Sequence, residues 1–324
     1  ICFVCLVATL AISNLLNEAV ISKKAWQSTL FFILRYGTIF LTLCYFYKLK
    51  FFDQNAVFAF LFVGLGILSA SAIYQFVNSP DAIVFSNNSA RGGLSGSLSN
   101  RNILGLFMGF GLCLSAVAIW RPLALKFAAL FLFAFFMIFS FSRAAWVGAF
   151  CALAFYGALN LKSLNKKYLL FTVGFIALFA VLLALSPSFE QRLAALFSGN
   201  SSGRTVIWNY ILEMAQQKPI LGYGLGSYIN LPGSPVLEHP EYNAPHNLFL
   251  EILLYSGALG LIFYGLILFC VFKECIRSRQ FGVLTLLIYL LIDCQFDHGA
   301  YLSKEALSLA TILSFLAYRM RIER

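Results

Sequence analysis

The stretch Leu123–Phe139 reads LALKFAALFLFAFFMIF and holds one charge in seventeen residues. Runs of this kind recur along the chain, and they constrain its fold more than any other feature. About ten apolar stretches are long enough, or nearly so, to cross a bilayer as helices. They fall near 1–20, 27–47, 56–77, 103–119, 123–139, 144–160, 168–186, 247–272, 281–297 and 305–319. Composition agrees: the 324 residues are 60% hydrophobic and 11% charged, with a mean hydropathy of +0.83. No soluble domain of this size has that balance, so the fold class is an all-α polytopic membrane protein with about ten transmembrane helices. Several middle spans reach only 16 to 17 residues, so they are expected to tilt little or to end in polar cavities.

One polar segment, 187–246, breaks the series far more than any other. It divides the chain into helices over 1–186, a loop over 187–246 and three last helices over 247–324. Two short helices are expected within the loop. One spans Phe189–Phe197. The other spans Arg204–Gln217, where Val206, Ile207, Tyr210, Ile211 and Met214 make one apolar stripe. Ser201 or Ser202 is its expected N-cap, and Pro219 ends it. Leu221–Ser227, LGYGLGS, reads as a turn-rich, flexible bend over a helix end. It follows no strand and opens no βαβ unit, so it is no dinucleotide fingerprint.

The formal net charge of +10 does not imply a nucleic-acid partner, because Lys and Arg in a membrane protein mark cytoplasmic loops. One set of alternate loops holds thirteen basic residues: Lys48, Lys50, Arg121, Lys126, Lys162, Lys166, Lys167, Lys273, Arg277, Arg279, Arg319, Arg321 and Arg324. The other side holds nine, spread over much more polar sequence, with the Lys23–Lys24 pair arguing mildly the other way. The long loop is therefore expected outside the cytoplasm. The eight cysteines form no CxxC pair and no Cys/His cluster of metal-ligand spacing, so they read as apolar packing residues and no metal site is expected. The chain opens at Ile1 within an apolar run, and a preceding segment is expected.

Three polar segments share the outer side: Asn78–Asn102, Ser140–Arg143 and the long loop. The first is rich in Gly, Ser and Asn, and its charges are Arg91 and Arg101. Arg143 follows a long apolar span. It is either a topological anchor that snorkels to headgroups or an anion site, since guanidinium grips phosphate oxygens bidentately and keeps its charge. Arg204 opens the amphipathic helix, where a cation opposes the dipole by roughly 0.3–1 kcal/mol. It is either a solvated loop residue or a partner of a bound phosphate. His246 begins the span after Pro245. It is either an interfacial helix-start residue or a general base kept neutral by the dipole of the first turn. Glu251 lies four residues beyond Asn247, on the same face. A carboxylate there should face a polar cavity or pair with Arg35. His239 reads as an ordinary loop residue.

Taken in order, SNRN at 99–102, Ser142-Arg143-Ala144, GRTVIW at 203–208, KPILGYGLGSY at 218–228 and PHNLFLEILLYSGALGLIFY at 245–264 resemble the O-antigen ligase/polymerase superfamily of bacterial inner-membrane proteins. His246-Asn247 followed by Glu251, Gly257 and Gly260 is the most specific part. The family's usual Gly after Ser-Arg is Ala144 here, and the loop is compact. The resemblance implies a fold similar to C-type glycosyltransferases, with one large periplasmic loop, and a metal-independent reaction without cofactor. That reaction moves a glycan from undecaprenyl pyrophosphate to an acceptor hydroxyl, such as that of lipid A–core, on the periplasmic face. It also implies roles. Arg143 and Arg204 bind the donor pyrophosphate, and His246 activates the acceptor. Arg91, Arg101, Asn247 and Glu251 are further candidate substrate-binding residues. Within the same chemistry stand O-antigen polymerase and protein O-oligosaccharyltransferase. In another class stands a small-anion transporter, which should carry broken helices and polar groups at mid-bilayer. Membrane lipids are implied partners and nucleic acid is not.

Overall fold

The computed structural model describes residues 2–17, 54–79, 92–98, 100–118, 123–160, 203–240, 242–296 and 308–313, with isolated positions in 27–42, in 174–194 and at 316. The expected spans 27–47 and 168–186, most of 305–319, the short helix Phe189–Phe197 and Arg91 lie outside this set. Eight α-helices are described: α1 (Cys2–Leu16), α2 (Gln54–Asn78), α3 (Arg101–Val117), α4 (Leu123–Phe139), α5 (Arg143–Leu159), α6 (Arg204–Gln217), α7 (Leu248–Arg277) and α8 (Phe281–Asp293). Two of them pass for membrane spans by length and apolarity, Ala56–Asn78 and Leu248–Arg277. The other apolar helices run 10–17 residues. At 1.5 Å per residue, seventeen residues reach about 25 Å, against roughly 30 Å of hydrocarbon.

The described chain forms two compact units that interleave along the sequence. One holds α2, α3, α4, α5 and α8, and the other holds α1, α6 and α7.

In the α2–α5 and α8 unit, α3, α4 and α5 run antiparallel in turn. The α4–α5 corner is only Ser140-Phe141-Ser142, with Phe141 at φ 53 and its ring buried inside the corner. Ser142 caps α5 by accepting from the Ala145 N–H at 3.4 Å, and the Trp146 indole ties α5 back to α4 through the Met137 carbonyl at 3.1 Å. At the other end Lys126 is buried, and its Nζ donates to the carbonyls of Ala116 and Ala118 at 2.9 and 3.0 Å. A cation there suits the carbonyl end of α3. Lys126 thus closes a helix end in addition to marking a loop. Small residues let α8 approach, since Cβ atoms at Gly109 and Gly148 would meet the Tyr289 ring at 2.3–3.3 Å.

In the other unit, α1 buries Leu6, Leu10, Ser13, Asn14 and Asn17, which share one face at helical spacing, and it packs along α7. Helix α7 is broken at Gly257, with φ 64 and ψ −163. Backbone groups that a continuous helix would pair internally bond to the segment 219–224 instead. Tyr223 and Gly224 donate to the carbonyls of Leu254 and Tyr255 at 2.8 and 3.0 Å, while Ala258 and Leu259 donate to those of Pro219 and Ile220 at 2.7 and 3.2 Å. A Cβ at Gly257 would stand 2.2 Å from the Ile220 oxygen, and one at Gly222 would stand 2.5 Å from the Leu254 oxygen. The LGYGLGS stretch is therefore a bonded insert in a broken helix rather than a flexible bend. Asn14 and Asn17 hold it from α1. Asn14 accepts from the Leu225 N–H at 2.8 Å, Asn17 donates to the Gly222 carbonyl at 3.2 Å, and Lys218 donates to Asn17.

Candidate functional site

Helix α6 follows the expected bounds, but its cap differs. Gly203 is the N-cap, at φ 79, and offers no side-chain bond to the first turn, where Ser201 or Ser202 was expected. Its buried stripe is Ile207, Ile211 and Ala215, at i, i+4 and i+8. Val206, expected within the stripe, is 54% exposed.

The start of α6 meets the end of the loop. A Cβ on Gly203 would fall 2.3 Å from the Tyr242 ring, so Arg204 follows a residue pressed against that ring. One helical turn on, the Trp208 indole donates to the Pro245 carbonyl at 3.2 Å. His239 packs on the other side of the loop, its ring 4.8 Å from that of Tyr242. Arg204 and Trp208, at i and i+4, share a face, and that face abuts the corner where His246 begins.

His246 does not stand in the first turn of α7. The helix begins at Leu248, and Asn247 caps it by accepting from the N–H groups of Phe249 and Leu250 at 3.0 Å each. The first-turn amides invoked for a neutral imidazole are thus bonded to Asn247, and His246 precedes the cap. What singles it out is its backbone, at φ 52. That conformation is uncommon outside glycine, although His adopts it more readily than most. Asn247 also donates to the Gln295 carbonyl at 3.1 Å, and Leu248 donates to the Cys294 carbonyl at 2.9 Å. The Asn247 side chain expected on substrate is therefore engaged in fixing this corner. Glu251, one turn into α7, is 0% exposed, so its carboxylate is buried within the protein rather than on an outer face.

In the other unit, Arg101 and Arg143 open α3 and α5. A Cβ on Gly105 would meet Ser142 at 2.5 Å, and one on Gly93 would meet both the Ser140 oxygen at 2.8 Å and the Arg101 side chain at 2.9 Å. The two helix starts therefore adjoin. The described loop residues 92–98 lie against them, with Leu94 donating to the Phe139 carbonyl at 2.9 Å and Arg101 Nη1 donating to Gly92. Arg143 is only 8% exposed, which does not suit an anchor reaching for headgroups. Arg101, Arg143 and Arg204 are each the first residue of a helix. Cations are disfavoured there unless an anion or a carboxylate joins them.

Residues 128–265 match the family described as O-Antigen ligase. Over this segment the chain is similar to the O-antigen ligase family. Among curated proteins, the chain is 34% identical over 83 residues to "Putative polysaccharide ligase RC0486" of Rickettsia conorii (strain ATCC VR-613 / Malish 7), covering 23% of this chain and 20% of that one. It is 33% identical over 92 residues to "Putative polysaccharide ligase" of Rickettsia felis (strain ATCC VR-1525 / URRWXCal2), covering 25% and 23%. These matches span about a fifth of the relatives' length. No solved structure matches the chain.

The matched segment contains Arg143, Arg204, His246, Asn247 and Glu251, while Arg91 and Arg101 precede it. It also contains two residues whose structural parts the sequence does not display. Trp208 was visible only as the last letter of GRTVIW. Gly257 was read as part of a pattern, with no hint of the helix break it permits. A third, Asp293, ends α8 and is 0% exposed; as a single acid at a span end it gave no periodic signal. Among the described residues, no group of three or more His, Cys, Asp or Glu is placed to hold a metal ion.

Proposed function

We propose that this protein is an O-antigen ligase-type glycosyltransferase. It transfers a glycan from undecaprenyl pyrophosphate to an acceptor hydroxyl, that of lipid A–core, at the periplasmic face of the bacterial inner membrane. The observation that carries this reading is the corner at the end of the loop. The Arg204 helix start is pressed on Tyr242, and Trp208 is bonded to Pro245. Arg204 and His246 thus flank two contacts between the start of α6 and the end of the loop.

In this reading His246 takes the proton of the acceptor hydroxyl as its oxygen attacks the anomeric carbon. The bond from that carbon to the phosphate oxygen breaks, its electron pair stays on the phosphate, and undecaprenyl pyrophosphate leaves. Positioned base catalysis of this kind contributes about 10²–10⁴-fold. The developing charge on the leaving group needs fixed positive partners in a low-dielectric site. Arg204 and Arg143 take that role, with guanidinium geometry matched to paired phosphate oxygens. Arg91 and Arg101 are further candidates for binding the donor. Glu251 lines the polar interior, and Asn247 holds the corner from which His246 projects.

The test is transfer from a synthetic undecaprenyl-pyrophosphate oligosaccharide to purified lipid A–core in detergent. The wild type should transfer, and Arg143→Lys and Arg204→Lys should each lose most of the rate, since Lys keeps the charge but not the fork. Near-normal rates in both variants would remove the arginines from the site. Transfer only onto a second copy of the glycan, or only onto a protein acceptor, would move the assignment to polymerase or protein glycosylation. For location, Glu213→Cys on the exposed face of α6 should react with an impermeant thiol reagent added from the periplasm.

A further inference from the structure

We propose that the carboxylate of Asp293 positions the Arg143 guanidinium for the donor's phosphates. Helix α8 runs antiparallel to α3 and α5. Its first turn touches the end of α3, where a Cβ on Gly282 would lie 3.3 Å from Val117. Near its other end the Tyr289 hydroxyl donates to the carbonyls of Gly105 and Leu106 at 3.3 and 2.9 Å, and the ring lies against Gly148. Asp293 stands one turn beyond Tyr289. In the antiparallel direction, one turn beyond Gly105 is Arg101, and about one turn beyond Gly148 is Arg143. The register thus brings a carboxylate that is 0% exposed level with two helix-opening arginines, one of them 8% exposed.

Asp and Arg are almost never buried unless paired. A carboxylate takes a guanidinium edge-on through two parallel bonds, which leaves the rest of the donor fork in a fixed direction. Arg143 is buried where Arg101 is only partly so, so Arg143 is the arginine assigned to Asp293. Asp293 touches no substrate in this scheme. It acts through Arg143, and the proposal rests on the reading of Arg143 as a phosphate-binding group.

The experiment uses the full chain purified in detergent, with Asp293→Asn, Arg143→Gln and the double variant. Two quantities are read: the melting temperature, and the concentration of inorganic pyrophosphate that gives half-maximal protection against melting. The double variant should melt no lower than the worse single. Asp293→Asn should need about tenfold more pyrophosphate, since misplacing a binding group by an ångström has effects of that order or larger. Asp293→Glu should recover part of the response. Strictly additive losses in melting temperature overturn the pairing. Coupled melting with an unchanged pyrophosphate response in Asp293→Asn, while Arg143→Gln loses that response, overturns the positioning role alone. An unchanged response in Arg143→Gln overturns the phosphate reading of Arg143, and the proposal falls with it. If Asp293→Asn does not accumulate, Asp293→Glu carries the test. A weakened pyrophosphate response at a wild-type melting temperature then supports the proposal, and an unaltered one sinks it.

Discussion

The indole N–H of Trp208 donates to the carbonyl oxygen of Pro245 at 3.2 Å. One turn after Arg204, helix α6 therefore grips the residue just before His246. Two groups read as acting on opposite partners of the reaction share one mechanical connection. Its strength is that of a single half-buried hydrogen bond, about 1 kcal/mol net.

Trp208→Phe keeps the ring and deletes the donor. The saturated transfer rate should fall about fivefold, the equivalent of that one bond, with little change in melting temperature. An unchanged rate would make the bond incidental to the chemistry.

The break in α7 makes a sharper demand. With φ 64 and ψ −163, Gly257 occupies a region open essentially to glycine alone, and an added Cβ would strike backbone rather than a movable side chain. Gly257→Ala should lower stability by about 3 kcal/mol or more, read as a fall in melting temperature in detergent. Gly265 is the control. It lies in the same helix with nothing within 4 Å of a built Cβ, so Gly265→Ala should be neutral or stabilising by up to about 1 kcal/mol.

That break also bears on the transporter alternative. Interrupted helices in transporters leave carbonyls and amides for ions. Here the carbonyls of Leu254 and Tyr255 and the amides of Ala258 and Leu259 are all bonded to the segment 219–224, so these break groups are already paired.

Much of the helical pattern was legible because hydrophobic runs report helices directly. The bounds of α4 and α6 agree to the residue, and α5 to within one. The helix break was not legible, because SGALG reads as an ordinary small-residue patch and the bonds that stabilise the break come from residues more than thirty positions earlier. The helix start at His246 was misplaced by two positions. Pro245 announces that a helix follows, but only the bonds from Phe249 and Leu250 to Asn247 show which residue is the cap. Arg143, Arg204 and His246 were singled out as candidates through their motifs. Asp293 was missed because its burial follows from helix register, which a single sequence does not display.

Alkaline pH should loosen the loop. The Tyr210 phenol is pushed up to about 12, by burial first and by the charge of Tyr223 second. Tyr228 is raised too, by burial first and then by Tyr210. Both hydroxyls donate in the fold, Tyr210 to the Pro232 carbonyl at 3.1 Å and Tyr228 to the Tyr242 carbonyl at 3.0 Å. The fold thus favours the neutral phenols. Their contribution should be complete below the ordinary tyrosine value near pH 10 and should fade as pH rises toward 12 and above. Tyrosinate absorbance followed against pH should show a late-titrating component, and Tyr210→Phe should reduce it. Titration of every tyrosine at the ordinary value would contradict the burial.

His246 carries both a chemical group and a backbone strain, and the two can be separated. Its φ of 52 costs a non-glycine residue on the order of 1 kcal/mol. His246→Gly removes the imidazole and relieves that strain, so it should melt at or above the wild-type temperature. His246→Ala removes the imidazole and keeps the strain. If the ring is the base, both variants should lose transfer by about 10²–10⁴-fold, despite their opposite stabilities, and inorganic pyrophosphate should protect both from melting as well as it protects the wild type. His239→Ala should stay near the wild-type rate, because that ring is exposed and packs on Tyr242. The pH–rate profile of the wild type should carry an ascending limb that the residual activity of His246→Gly lacks. Should His246→Gly lose pyrophosphate protection and keep the limb, the histidine would be a phosphate ligand. Glu251, buried one turn further along α7, would then be the base to test next.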